Sequence, residues 1–385
     1  MVALQSIFIK AYWSLAALGT LYFLCLAALI HPTAQNYAIY MHKLQLTWFH
    51  DLTIPEQFGF AKNQVTPFFI PTPDGERLFA WHVLPLGLYS SHRDPLIQQP
   101  TGVSSSPTST ENLRLLTSDP DSHLIIHFHG NAGTVGAAIR PGYLRSLSAA
   151  QPSKIHILTI DYRGFGLSSG SPSEEGLITD GLTVVDYALN ELNIPPERIS
   201  LVGQSLGTAV TFAVADRLID RTPPIEPKAI ISIAGFSDME EIVRTYRAGG
   251  VFPILRPLRT YPFLVGWFLQ FLRESWDSKT RIAEIVRKSG KANLVLVHAK
   301  NDYEIPHDHL ETLWISAINA TVEGGVSKEW VAENVKTEVF GDESSVSVWQ
   351  KGEKRIAKHV VNWGGHNNVV SAAGTSVLVA KALGF

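Results

Sequence analysis

Four short stretches hold residues of the right types for acyl-transfer chemistry. Gly203-Gln204-Ser205-Leu206-Gly207 sets a serine between two near-adjacent glycines, where an apolar run (199–202) meets a helix-like stretch. A plain turn would use the same residue types, because glycine supplies unusual backbone angles and serine is common in turns. A nucleophile elbow needs them for another reason. There the chain turns so sharply that the serine hydroxyl stands clear at the sheet edge, and only small neighbours fit on either side. That reading requires an oxyanion loop upstream, then an acid and a histidine downstream. His129-Gly130-Asn131-Ala132-Gly133, Lys300-Asn301-Asp302 and Gly364-Gly365-His366 supply them, in the chain order Ser, Asp, His.

Each type has a task. A serine hydroxyl is a poor nucleophile at neutral pH. A histidine within hydrogen-bond reach takes its proton as the new bond forms and returns it to the leaving group. A carboxylate on the other ring nitrogen fixes the tautomer and stabilises the imidazolium. Negative charge then gathers on the former carbonyl oxygen, where two backbone N–H groups can hold it. The expected catalytic set is Ser205, Asp302 and His366, with the N–H groups of Asn131 and Leu206 as oxyanion donors. Asp277 and Asp238 are the alternative acids, although neither directly follows an apolar run. Asp161-Tyr162-Arg163-Gly164 reads as a structural buttress of the oxyanion loop. His127-Phe128-His129 lacks an acidic third ligand, so no metal is expected. Gly164-x-Gly166 lacks the third glycine of a dinucleotide loop and no P-loop string occurs, so no cofactor is expected either.

These residues need a scaffold, and the hydropathy pattern provides one. Apolar runs recur at 124–128, 155–160, 199–202, 229–234, 294–299 and 359–363. Helix-like stretches near 134–149, 174–192, 206–219, 307–318 and 369–383 separate them. This alternation predicts an α/β fold with a mostly parallel sheet flanked by helices. Ligands of such sheets bind outside the carboxyl ends of the strands, and every candidate residue follows one. The catalytic domain is expected over 65–385, opening with a β-hairpin around Pro73-Asp74-Gly75. Two segments break the pattern. Residues 88–122 are rich in Ser, Thr and Pro and read as a disordered surface insertion. Residues 238–290 carry Phe252, Tyr261, Phe263, Trp267, Phe268, Phe271 and Trp276 together with Arg244, Arg247, Arg256 and Arg259. They read as an inserted helical cap whose aromatics line an acyl slot and whose arginines meet an anionic head group.

The N-terminus adds a location. Residues 11–30 run for twenty positions without a charge, about 30 Å as a helix at 1.5 Å per residue, which is the thickness of a bilayer core. Lys10 precedes the run, His31-Pro32 closes it, and Tyr12 and Trp13 sit where an aromatic belt would. Residues 1–31 therefore read as a single-pass signal anchor and 32–64 as a juxtamembrane connector. Lys10 favours a cytosolic N-terminus and a lumenal domain, and Asn319-Ala320-Thr321 is a sequon in agreement. Hydrophobic residues make up 45% and charged residues 17%, which fits a packed core rather than disorder. The net charge of −3 without a Lys/Arg block argues against nucleic acid as a partner. The single cysteine, Cys25, excludes an intrachain disulfide framework.

"HGNAG", "DYRGFGLSSGSPSEEG", "GQSLGTAV", "LVLVHAKNDYEIP" and "GGHNNV" together resemble the α/β-hydrolase superfamily. Within it the chain is similar to the membrane-anchored branch that contains the lysophosphatidylserine lipase/monoacylglycerol lipase of the endoplasmic reticulum. The resemblance spans roughly 68–385 and implies the same triad and oxyanion donors. It implies a membrane lipid as substrate and the endoplasmic reticulum as location. Two departures stand out: the Ser/Thr-rich stretch near 88–122, and a hairpin-like insert at 336–359 ahead of the histidine. A protein-depalmitoylating thioesterase, an aminopeptidase-like hydrolase and an inactive membrane-tethered scaffold are the other functions such a chain could serve.

Overall fold

The computed structural model describes residues 2–258, 260–340 and 344–385. Ten strands form one sheet: β1 (Val65–Pro71), β2 (Arg77–Val83), β3 (His123–Phe128), β4 (Ile155–Ile160), β5 (Ile199–Gln204), β6 (Ala229–Ile233), β7 (Asn293–Ala299), β8 (Lys336–Val339), β9 (Ser345–Lys351) and β10 (Lys354–Val361). Their spatial order is β1-β2-β4-β3-β5-β6-β7-β10-β9-β8. The middle six, from β4 to β10, pair in parallel. Hairpins close both edges: β1/β2 at one end, as the Pro73-Asp74-Gly75 turn predicts, and β8/β9/β10 at the other.

Both faces of the sheet are covered, which is why its strands read as near-continuous apolar runs. Leu124, Ile126, Leu201, Ile230 and Leu296 point to one face. They pack under α4 (Glu174–Asp186), α5 (Leu206–Ile219), α8 (Ser278–Lys288) and α9 (Asp308–Asn319). Ile125, Ile157, Val202, Ile231 and Val295 point to the other, under α3 (Arg140–Ala149) and α10 (Ala373–Leu383). Side-chain caps fix where helices begin: Ser173 accepts from Gly176 N–H for α4, and Asp277 from Thr280 N–H for α8.

Three expectations need correcting. Residues 88–122 are folded, not disordered. Short helices Leu86–Ser91, Arg93–Gln98 and Glu111–Ser118 bury Leu96, Leu113 and Leu116. The Asn63 amide donates to the carbonyls of Leu96 and Gln99, and Asn112 donates back to Asn63. Two buried amides thus do the stapling that a sparse apolar pattern does not announce. The connector at 32–64 is also built structure. Helix α2 (Pro32–Tyr40) follows α1 (Val2–Ala28) almost at once, Tyr40 is fully buried, and Leu52 accepts from the indole of Trp81. Finally, the cap is shorter than 238–290. It comprises α6 (Met239–Thr245) and α7 (Pro262–Leu269) with a two-strand bridge between them, whereas α8 buries Ile282, Ile285 and Val286 in the main core.

Candidate active site

The turn after β5 is a strained elbow. Ser205 has φ 53° and ψ −121°, a region non-glycine residues rarely occupy, at a cost of about 1–3 kcal/mol. The flanking glycines explain how the turn closes. A Cβ on Gly203 would lie 2.2 Å from the Gly207 carbonyl oxygen, and one on Gly207 would lie 1.9 Å from that of Phe128. Ser205 N–H donates to Ile233 O of the neighbouring strand, and α5 starts at Leu206. The serine hydroxyl is thereby presented above the carboxyl edge of the sheet, at the N-terminus of a helix.

His366 Nε2 lies 3.0 Å from Ser205 Oγ, and its Nδ1 lies 2.8 Å from Asp302 Oδ2. A carboxylate only accepts, so Nδ1 carries the proton and Nε2 is free to receive one from the serine. Asp302 follows β7 and is fully engaged. Its Oδ1 accepts from Glu304 N–H and Ile305 N–H, and its Oδ2 also accepts from His298 Nε2 at 3.1 Å. Burial works against the charge, but the hydrogen bonds from His298 and His366 outweigh it and hold the carboxyl well below the usual carboxylate range. The loop bearing His366 is tied to both partners. Gly365 N–H donates to the Asn301 side chain, and the Gln204 side chain donates to His366 O. The alternative acids serve as caps instead: Asp238 accepts from Glu241 N–H and pairs with Lys279, and Asp277 caps α8.

The loop after β3 lies beside the elbow; a Cβ on Gly130 would meet the Gln204 side chain at 2.6 Å and the Ser205 Cβ at 3.2 Å. Among the described residues neither Asn131 N–H nor Leu206 N–H donates a hydrogen bond, so both remain available to an incoming oxyanion. The loop is shaped by groups the sequence did not advertise. The Arg140 guanidinium donates to the carbonyls of Gly130, Asn131, Ala132 and Thr134, which turns those oxygens away and leaves the N–H groups facing the other way. Burial brings its pKa down to about 10, still charged at neutral pH. On the opposite flank Ala132 N–H donates to Tyr40 O and Gly133 N–H to Leu44 O, both from the segment just after the apolar helix. Asp161 and Tyr162 buttress from below: Asp161 accepts from Val135 N–H, and the Tyr162 hydroxyl donates to His129 O. Nothing local to Arg140-Pro141 marks this role, because its partners are backbone carbonyls.

Comparison with known proteins finds similarity in sequence and in fold. Residues 123–250 match the family described as alpha/beta hydrolase fold. The Danio rerio protein named lysophosphatidylserine lipase ABHD12 is 28% identical over 279 residues, 71% of this chain and 64% of that protein. Protein ABHD12B of Homo sapiens is 29% identical over 197 residues, about half of either chain. The chain has the α/β-hydrolase fold. A crystal structure of an α-β hydrolase from Vibrio vulnificus superposes with a TM-score of 0.52 at 14% identity, covering 75% of this chain and 83% of that one. The alignments to the ABHD12 proteins span less than two thirds of those relatives' length.

The elbow lines an apolar cleft with about 810 Å³ of atom-free space, part of it open to solvent. Its walls differ from expectation. Met239, Ile242, Phe268 and Leu272 of the cap region face it, together with Ile305 after β7. Phe268 lines the slot, but Phe263 and Trp267 are exposed on the outer side of α7, and Trp276 is fully buried in the main core. The slot is therefore mostly aliphatic, because α7 is apolar all round and only one of its faces can look inward. Arg244 pairs with Glu240 on an exposed surface and does not line the cleft. Arg259 lies outside the described residues, as does the side chain of Arg256.

Proposed function

We propose that this chain is a serine hydrolase that cleaves the acyl ester of a single-chain lipid through an acyl-enzyme. The hydrogen-bonded line Ser205–His366–Asp302 at the floor of an apolar cleft carries the reading. His366 Nε2 takes the Ser205 proton as Oγ attacks the ester carbonyl. The Asn131 and Leu206 N–H groups receive the developing oxyanion, each such donor being worth about 3 kcal/mol of barrier. His366 then protonates the departing alcohol, and water repeats the sequence to release the fatty acid. Asp302, held ionised, keeps the imidazole in the required tautomer throughout.

The aliphatic slot supports a long acyl chain, since each methylene it buries contributes about 0.8 kcal/mol. Relatives named lysophosphatidylserine lipase support a lipid ester over a peptide or thioester. The helix Gln5–Ala28 is long and apolar enough to cross a membrane, which supports an anchored enzyme drawing its substrate from the bilayer. Lys10 and the Asn319 sequon support a domain on the lumenal side, in the endoplasmic reticulum; a glycosidase-sensitive shift on expression in cells would agree, and an unshifted band with protease access from the cytosolic side would not. Fluorophosphonate labelling tests the nucleophile: label on the wild type and none on Ser205→Ala supports it, and an unlabelled wild type favours the inactive scaffold. Hydrolysis of long-chain lysophosphatidylserine and monoacylglycerol should exceed that of short p-nitrophenyl esters. A preference for the short esters would point to a general esterase.

A further inference from the structure

The cleft above Ser205 has a wall that does not come from the hydrolase domain. Leu29, at the end of the long apolar helix, and Ala38 and Ile39 of α2 all face it. Their placement is fixed from both sides. Near the end of α1, Leu26 is buried against Leu255, Val265 and Phe268 of the cap, and the Tyr22 hydroxyl donates to Ile254 O at 2.8 Å. Helix α2 is docked by Gln35, whose side chain donates to Phe271 O and accepts from Arg273 N–H. Its last residue, Tyr40, is the one that accepts from the oxyanion loop.

We propose that Leu29, Ala38 and Ile39 form an acyl-chain subsite, so that the N-terminal apolar helix and its successor are part of the substrate site and not only a tether. The proposal deepens the hydrolase function above and rests on it. The occupant is the tail of a mono-acyl lipid. The wall is aliphatic apart from Gln35, whose amide is already engaged by Phe271 O and Arg273 N–H, and Leu29 places it directly at the end of the apolar helix. A head group has no charged partner on this wall, whereas a tail gains roughly fourfold in binding per methylene it buries.

The test uses the full chain in detergent or vesicles and a series of glycerol monoesters from butyryl to oleoyl. Ala38 lines the cleft and is exposed, so Ala38→Trp fills the slot without disturbing a core, while Leu29→Trp fills it from a half-buried position beside the Leu26 cluster. Each should lower the oleoyl-to-butyryl ratio of kcat/KM by about tenfold or more, while Thr33→Trp, on the exposed side of α2, keeps the wild-type ratio. Ratios within about twofold of wild type in both cleft variants would overturn the subsite and leave the hydrolase standing. A wild-type chain that hydrolyses no member of the series would overturn both.

Discussion

The two halves of the proposed reacting centre are built in opposite ways. The elbow is a local device. Five consecutive residues contain the strained serine, the two glycines that let the turn close, and the first N–H of the following helix. The oxyanion loop is a shape imposed from outside. Its carbonyls are gathered by Arg140, two of its N–H groups are held by Tyr40 and Leu44, and Tyr162 and Asp161 support it from beneath. A local device fails when one of its own residues changes. An imposed shape fails when a distant strut is removed, and it fails by degrees.

That contrast sets the expected effects. Ser205→Ala should abolish the chemistry, lowering turnover by on the order of 10⁴-fold or more with the melting temperature kept, as steady-state kinetics and a thermal scan would show. Retained turnover would remove the elbow from the mechanism. Gly207→Ala should be nearly as damaging for a different reason: its Cβ collides with the Phe128 carbonyl, so both fold and label are lost. Arg140→Ala should act on the imposed half. The expected loss is about 10²–10³ in kcat with KM little changed, and Arg140→Lys should not rescue it, since one ammonium cannot span four carbonyls. A drop confined to KM would mean the loop keeps its shape without the guanidinium.

A subtler effect is expected beneath the loop. Burial raises the Asp161 pKa from 3.8 to about 7. The folded chain thus holds a proton that the unfolded chain has released, so Asp161 takes stability away as pH climbs from about 4 to 7. Asp161→Asn keeps an acceptor for Val135 N–H and should flatten the fall in melting temperature across that window. A curve that still falls as steeply would assign the pH dependence elsewhere. The smallest effect belongs to Asn131→Ala. The side chain makes two long hydrogen bonds, to Ile39 O at 3.4 Å and to Met41 Sδ at 4.0 Å, and the proposed donor is the backbone N–H. The expected loss is under about tenfold in kcat/KM; a much larger one would give the amide itself a role at the oxyanion.

The same contrast explains what could be read in advance. The strands at 155–160 and the helix at 206–219 match the hydropathy runs residue for residue, because burial on both faces writes itself into contiguous sequence. Ser205, Asp302 and His366 were legible for a related reason: each follows the carboxyl end of a core strand, so the alternation of elements forecast their convergence. Arg140, Tyr40 and His298 were not. Two act through backbone atoms or accept from them, and His298 contacts the acid because the chain turns back just after β7, at Asn301-Asp302. Residues 88–122 misled by composition, since the amides of Asn63 and Asn112 order a stretch with few apolar residues. The cap misled by its aromatics: a ring on an apolar helix has several faces to choose from, and Phe263 and Trp267 took the outer one.

The hydrogen bonds from Ala132 to Tyr40 and from Gly133 to Leu44 make readiness a matter of assembly. Ser205, Asp302 and His366 all sit in connections that follow strands of the sheet. The loop after β3 instead makes two of its hydrogen bonds to residues outside the sheet, at Tyr40 and Leu44. A domain clipped free of residues 32–44 would carry all three side chains with two of that loop's struts missing. The N-terminal segment is in this sense part of the frame of the proposed site and not an appendage to it.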